Sequence, residues 1–123
     1  MKEIIIKAGK IELKAVLYNT PTAEIIYNNL PLEGKTSIWG DEVYFNIEFY
    51  IKPESEAREE VEEGELGYWP LGPAFCIFFG PTPVSIGNKP RAYSPVNVFG
   101  KISKNYHLLK GIENNEVIKV IKI

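Results

Sequence analysis

Few residues in this 123-residue chain are equipped for chemistry: one His, one Cys, one Asp and two Arg. Cys76 and His107 could form a nucleophile and its base, since a thiolate needs a nearby proton acceptor. The plainer reading is a buried, inert thiol and a surface imidazole, because a free Cys mostly packs as a small apolar side chain. Asp41 precedes Glu42, and paired carboxylates can do acid–base work. A turn after Gly40 accounts for Asp41 just as well. Arg58 stands in a run with seven Glu between Pro53 and Glu65, where a surface ion pair is expected. Arg91 stands beside Tyr93 in a proline-rich stretch and is the one guanidinium placed to act on a ligand. Its plainer role is to tie a loop to a carboxylate or to backbone carbonyls.

Metal and phosphate chemistry find little support. One His and no Cys cluster argue against zinc. The acidic run 53–65 offers carboxylates alone, which reads as a solvated segment rather than a metal site. No glycine-rich phosphate loop leads into a helix. No cofactor is expected.

These residues must be positioned by strands. Ala74-Phe75-Cys76-Ile77-Phe78-Phe79 is the most apolar run, bracketed by Pro and Gly, and predicts a central strand buried on both faces. Val43, Phe45, Ile47, Phe49 and Ile51 alternate with Tyr44, Asn46, Glu48, Tyr50 and Lys52, which predicts a strand over 43–52. Two alternating runs across Gly9-Lys10 predict a hairpin. Thr20-Pro21 predicts a helix start, with Ala23, Ile26, Tyr27 and Leu30 at helical spacing and Pro31 beyond. Residues 80–95, with Pro81, Pro83, Pro90 and Pro95, predict a long connection stiffened by proline. Val96–Ile102 and Val117–Ile123 predict two more strands. A helical turn capped by Ser103 is expected over 104–109. Many short strands with one or two short helices point to a mainly β fold, a closed barrel in a single domain over 1–123.

Composition excludes some partners. A net charge of −2 provides no basic footprint for nucleic acid or an anionic membrane. The apolar run at 4–6 is too short for a signal-peptide core, and the longest run, at 74–79, is too short to span a bilayer. One Cys permits no internal disulfide. A cytoplasmic setting is compatible with this.

Three stretches together resemble a known family. They are Trp39-Gly40-Asp41-Glu42-Val43-Tyr44-Phe45, then Gly67-Tyr68-Trp69-Pro70 with Gly72 and Ala74 through Pro83, then Ser94-Pro95-Val96-Asn97-Val98-Phe99-Gly100-Lys101-Ile102. They look like the small bacterial and archaeal cyclophilin-like proteins, described as atypical cyclophilins and as a domain of unknown function. The resemblance implies a cyclophilin-type barrel of about eight strands, with helices at its ends. Val98-Phe99-Gly100-Lys101-Ile102 also echoes a strand of true cyclophilins. Those enzymes carry their catalytic Arg on a strand that continues into a Phe-Met-x-Gln-Gly-Gly segment, whereas residues 37–50 here hold no Arg, Met or Gln.

Two functions follow. The first is a peptidyl-prolyl cis-trans isomerase. It would need an apolar cup for the proline ring, and a donor that favours the twisted amide over either planar form. Arg91 would be that donor. Trp39, Tyr44, Tyr68, Trp69, Phe75, Phe79 and Tyr93 would form the cup. The second is a non-catalytic module that binds a proline-containing peptide or a small ligand in the same pocket. A third reading has the loop mediate self-association into a homodimer.

Overall fold

The computed structural model describes residues 2–123. Ten strands form along the chain: β1 (Glu3–Ala8), β2 (Ile11–Leu17), β3 (Leu32–Lys35), β4 (Ser37–Ile38), β5 (Glu42–Asn46), β6 (Arg58–Glu60), β7 (Glu65–Trp69), β8 (Ala74–Phe78), β9 (Arg91–Ile102) and β10 (Val117–Lys122). One α-helix, α1 (Pro21–Asn28), and one 3₁₀ helix, Tyr106–Gly111, complete the set. Helix α1 starts as its sequence predicts: Thr20 Oγ1 accepts from the Ala23 amide at 3.1 Å, with Pro21 in the first turn. The 3₁₀ helix begins after Asn105 in the left-handed region, with no side-chain cap, so Ser103 does not play the expected part.

The sheet runs β3-β10-β1-β2-β9-β7-β8-β5-β4, with β6 paired to β9 off this path. The mainly β, cyclophilin-type architecture is therefore present, but with ten strands and without closure by hydrogen bonds. The two ends of the order, β3 and β4, are consecutive in sequence and meet at Thr36. Thr36 turns its own groups away from any closing ladder. Its amide donates to Glu116 O at 2.8 Å, and its hydroxyl donates to Glu113 O at 2.6 Å. The seam is packed rather than laddered: a Cβ placed on Gly34 of β3 would lie 2.8 Å from the Phe45 ring of β5.

Period-two alternation divides β8 between two cores. Phe75 and Ile77 join the interior of the curled sheet with Phe45, Phe99, Leu66, Ile4, Ile6 and Ile26. The rings of Phe45 and Phe75 stack with centroids 5.1 Å apart, and Phe99 meets Phe75 edge-on at the same distance. Ala74, Cys76 and Phe78 face the other way and pack under Val61, Ala92 and Val96. The first half of β9, paired with β6, thus covers the outer face of β8. All five residues of β8 are buried, as expected of a strand covered on both sides.

Two predicted segments differ in extent. The strand expected over 43–52 ends at Asn46. Beyond it the chain leaves the sheet and is held by a side chain: the Ile51 amide donates to Tyr68 Oη at 2.7 Å, and the Tyr68 hydroxyl donates to Phe49 O at 3.2 Å. Ile47 and Ile51 stay buried without ladder partners. The connection expected over 80–95 is shorter, because β9 begins at Arg91 and runs through Pro95. Pro95 is tolerated there because the β7 ladder reaches only Asn97, and the β6 ladder is irregular between its pairings at Arg91 and Val96. The acidic run is not wholly solvated either. Val61 is fully buried, and Glu65 accepts from the Tyr18 hydroxyl at 2.8 Å, the Glu62 amide at 2.8 Å and Arg58 at 3.3 Å.

Replacing Tyr68 by Phe keeps the ring and leaves the Ile51 amide and Phe49 carbonyl without their partner. The expected cost is about 1–3 kcal/mol. It should appear as a lower urea midpoint, together with faster hydrogen exchange at the Ile51 amide. An unchanged midpoint would show that residues 47–53 do not depend on this hydroxyl.

Candidate functional site

A cleft of about 200 Å³ opens on the outer face of β5, β7 and β8, lined by Trp39, Glu42, Tyr44, Trp69, Cys76, Ala92, Tyr93 and Val96. It exceeds the roughly 150 Å³ cavity that accepts one benzene ring and is smaller than the pockets that enclose drug-sized ligands, about 300 Å³ and up. One ring-sized or branched group fits.

Each wall has a local cause. Trp39-Gly40-Asp41-Glu42 is a two-residue hairpin, closed by Trp39 N–H to Glu42 O at 2.9 Å and Glu42 N–H to Trp39 O at 3.1 Å. Gly40 takes the first central position with φ +58°, and a Cβ there would meet Pro83 at 2.7 Å and the Thr82 backbone at 2.9 Å. The following loop clamps this turn. Asp41 N–H donates to Pro81 O at 2.9 Å, and Phe79 N–H donates to Asp41 O at 2.9 Å. Thr82 N–H reaches Ser85 Oγ at 2.9 Å, and Ser85 Oγ donates to Lys89 O at 2.7 Å, which orders the loop itself. On the far wall, Trp69 Nε1 donates to Ser94 Oγ at 2.6 Å, so its indole is fixed in place. Tyr93 stands between the two indoles. Its ring centroid lies 6.2 Å from each, at interplanar angles of 72° to Trp39 and 82° to Trp69.

Of the residues that sequence reasoning proposed for the cup, the fold brings Trp39, Tyr44, Trp69 and Tyr93 to this cleft. Tyr68, Phe75 and Phe79 do not line it: they point into the interior core, where at most 2% of each is exposed. The correction follows from strand geometry, since Tyr68 alternates with Trp69, and Phe75 with Cys76. Arg91 does not line it either; its guanidinium pairs with Glu59 at 2.5 Å. β6 pairs with β9 so that Glu60 faces Arg91, which brings Glu59 within reach. Cys76 and His107 are also apart: the imidazole is exposed beside Glu63 at 3.7 Å, while the thiol is buried on the cleft side of β8.

Sequence reasoning weighed Glu42 only as half of a carboxylate pair with Asp41 and did not place it in the cup. Glu42 is only 6% exposed, and no ion pair among the described residues reaches it. Burial pushes its carboxyl up from 4.5 to about 7, partly offset by the Cys76 thiol beside it. Burial, and then the charge of Glu42, raise that thiol well above its ordinary range, which makes it a poor nucleophile. The signal for Glu42 was present in the alternation: two residues before Tyr44, it belongs to the outward face of the same strand. Among the described residues, no three His, Cys, Asp or Glu side chains gather as a metal site.

This carboxyl links stability to pH. Between pH 4.5 and 7 the folded chain holds a proton on Glu42 that the unfolded chain has released, so stability falls as pH rises and the full cost is present above 7. Cys76 from β8, Tyr44 on the same strand and Tyr93 from β9 are the titratable groups around the cleft. Glu42→Gln should stabilise the protein at pH 8 by about 3 kcal/mol and leave it unchanged near pH 4. Thermal unfolding at the two pH values checks this; a gain of equal size at both would remove Glu42 ionisation as its cause.

Comparison with known proteins agrees with this architecture. Residues 2–121 match the Cyclophilin-like family. The solution structure of a hypothetical protein from Archaeoglobus fulgidus superimposes with a TM-score of 0.82 at 33% identity, over 99% of this chain and 95% of that one. A comparison with curated proteins found no match. With its curled ten-stranded sheet and a family match over nearly its whole length, the chain belongs to the cyclophilin-like family.

Proposed function

We propose that this protein is a non-catalytic binding module, which holds a small ligand or one side chain of a peptide in the cleft between Trp39, Trp69 and Tyr93. One observation carries the reading: no guanidinium reaches the cleft. The chain has two Arg residues; Arg58 is committed to Glu65 at 3.3 Å and Arg91 to Glu59. An isomerase of X-Pro bonds needs a fixed donor at the twisted amide, and a guanidinium suits that task because it stays charged and presents its donors in a rigid fork. Here the one polar side chain that is both buried and directed at the cleft is a carboxyl, Glu42. Ionised, it accepts hydrogen bonds only; protonated, it presents a single O–H in place of the charged, rigid fork of a guanidinium. Aromatic walls with one converging polar group are the usual composition of a binding pocket.

The two Trp residues of the chain both line the cleft, so their indole N–H signals in a nitrogen–proton correlation spectrum report its occupancy. A fragment library should contain ring-sized compounds that shift both signals, and the protein should not accelerate isomerisation of a short X-Pro peptide even at high concentration. Measurable acceleration, lost on Arg91→Ala, would reinstate the isomerase. A library that leaves both indole signals in place would overturn the binding module.

A further inference from the structure

We propose that the cleft is a receptor for an organic ammonium ion, with the Glu42 carboxylate taking the charge and the rings of Trp39, Trp69 and Tyr93 taking the alkyl or methyl groups. This rests on the binding reading above and names the chemical class of the ligand.

Three features point to a cation. First, Tyr93 meets Trp39 and Trp69 edge-to-face at 72° and 82°, and all three rings border the cleft. In that arrangement the electron-rich faces of more than one ring can address a single positive group, the geometry by which aromatic cages hold quaternary ammonium. Second, Glu42 is only 6% exposed and borders the cleft, and among the described residues it has the Cys76 thiol beside it but no Lys, Arg or His partner. Burying a charge without a partner is costly, and a bound cation would supply the missing one. Third, none of the lining residues is basic, so no side chain lining the cleft competes for the carboxylate. The volume agrees: about 200 Å³ accepts a tetraalkylammonium head, which is roughly the size of the benzene ring held by a 150 Å³ cavity.

The decisive comparison is between choline and 3,3-dimethylbutan-1-ol, which has the same shape with carbon in place of the charged nitrogen. Each is titrated into the full-length protein at pH 8, with the Trp39 and Trp69 indole signals as the readout. Choline should bind at least tenfold tighter. In Glu42→Gln the tenfold preference should vanish while the neutral compound still binds. Tyr93 is 68% exposed, so Tyr93→Leu leaves the fold intact, and it should weaken choline about tenfold, with Tyr93→Phe restoring it. Equal affinity for the two compounds in the unaltered protein would overturn the ammonium assignment and leave the binding module standing. Failure of choline to move either signal would overturn the assignment too, whereas the binding module is judged by the fragment library. A short peptide carrying trimethyllysine distinguishes two sources of the same chemistry. If it binds tighter than choline, the ligand is a protein side chain; if weaker, a free small amine. Both results uphold the ammonium site.

Discussion

Both faces of β8 must be covered, and most of the architecture follows from that constraint. A five-residue strand reading Ala-Phe-Cys-Ile-Phe leaves no side that water can occupy without large loss. Full burial of each large apolar side chain contributes about 1.5–3 kcal/mol. The inward face is served by the curled sheet and the Phe45, Phe75 and Phe99 cluster. The outward face needs a second layer, and β6 with the first half of β9 supplies it through Val61, Ala92 and Val96. That layer buries Ala74, Cys76 and Phe78 but leaves Tyr44 and Trp69 only partly covered. The uncovered part, rimmed by aromatic rings, is the cleft.

Electrostatics then separate the cleft from the rest of the surface. Elsewhere the carboxylates near the fold's interior are satisfied. Glu65 accepts from a phenol, a guanidinium and an amide. Glu54 accepts from the amide and hydroxyl of Thr22, while its own amide donates to Asn97 Oδ1 at 2.9 Å. Asn97 in turn donates to Thr22 Oγ1 at 3.0 Å and to Lys52 O at 3.1 Å, so this buried network pins the strand-free segment after β5 against α1. Glu42 alone of the buried acids lacks an ionic or multiple hydrogen-bonded environment. Buried polar groups are generally paired. Where the fold leaves one facing a cleft, the partner is best sought outside the chain.

Much of the fold was legible. The hairpin across Gly9-Lys10, the Thr20-Pro21 helix start and the doubly buried run at 74–79 rest on local physics: a turn residue, a cap and a periodicity. The strand expected over 43–52 went wrong for a non-local reason. Its alternation is real, yet the Tyr68 hydroxyl captures the backbone at Phe49 and Ile51 and diverts it from any ladder. Closure of the barrel was expected because closure removes edges, but here the edges are consecutive in sequence, and Thr36 joins them by the chain itself. Of the seven aromatic residues proposed for a cup, four, Trp39, Tyr44, Trp69 and Tyr93, line the cleft and are separated from Tyr68, Phe75 and Phe79 by side of the sheet, a choice that composition does not record.

The amino-acid sequence by itself determined which side chains oppose one another across each strand, where the chain turns, and that only two guanidinium groups and one thiol exist to do chemistry. Tertiary structure alone decided which face became interior and which became cleft, because a period of two is symmetric until other strands cover one side. It also decided that Arg91 would pair with Glu59, and that Glu42, an unremarkable turn-adjacent acid in the sequence, would lie buried beside the Cys76 thiol with no cation against it. Those outcomes depend on strand neighbours thirty or more residues away. The charge state and reach of an ionisable group are set by what surrounds it in space, and not by what flanks it along the chain.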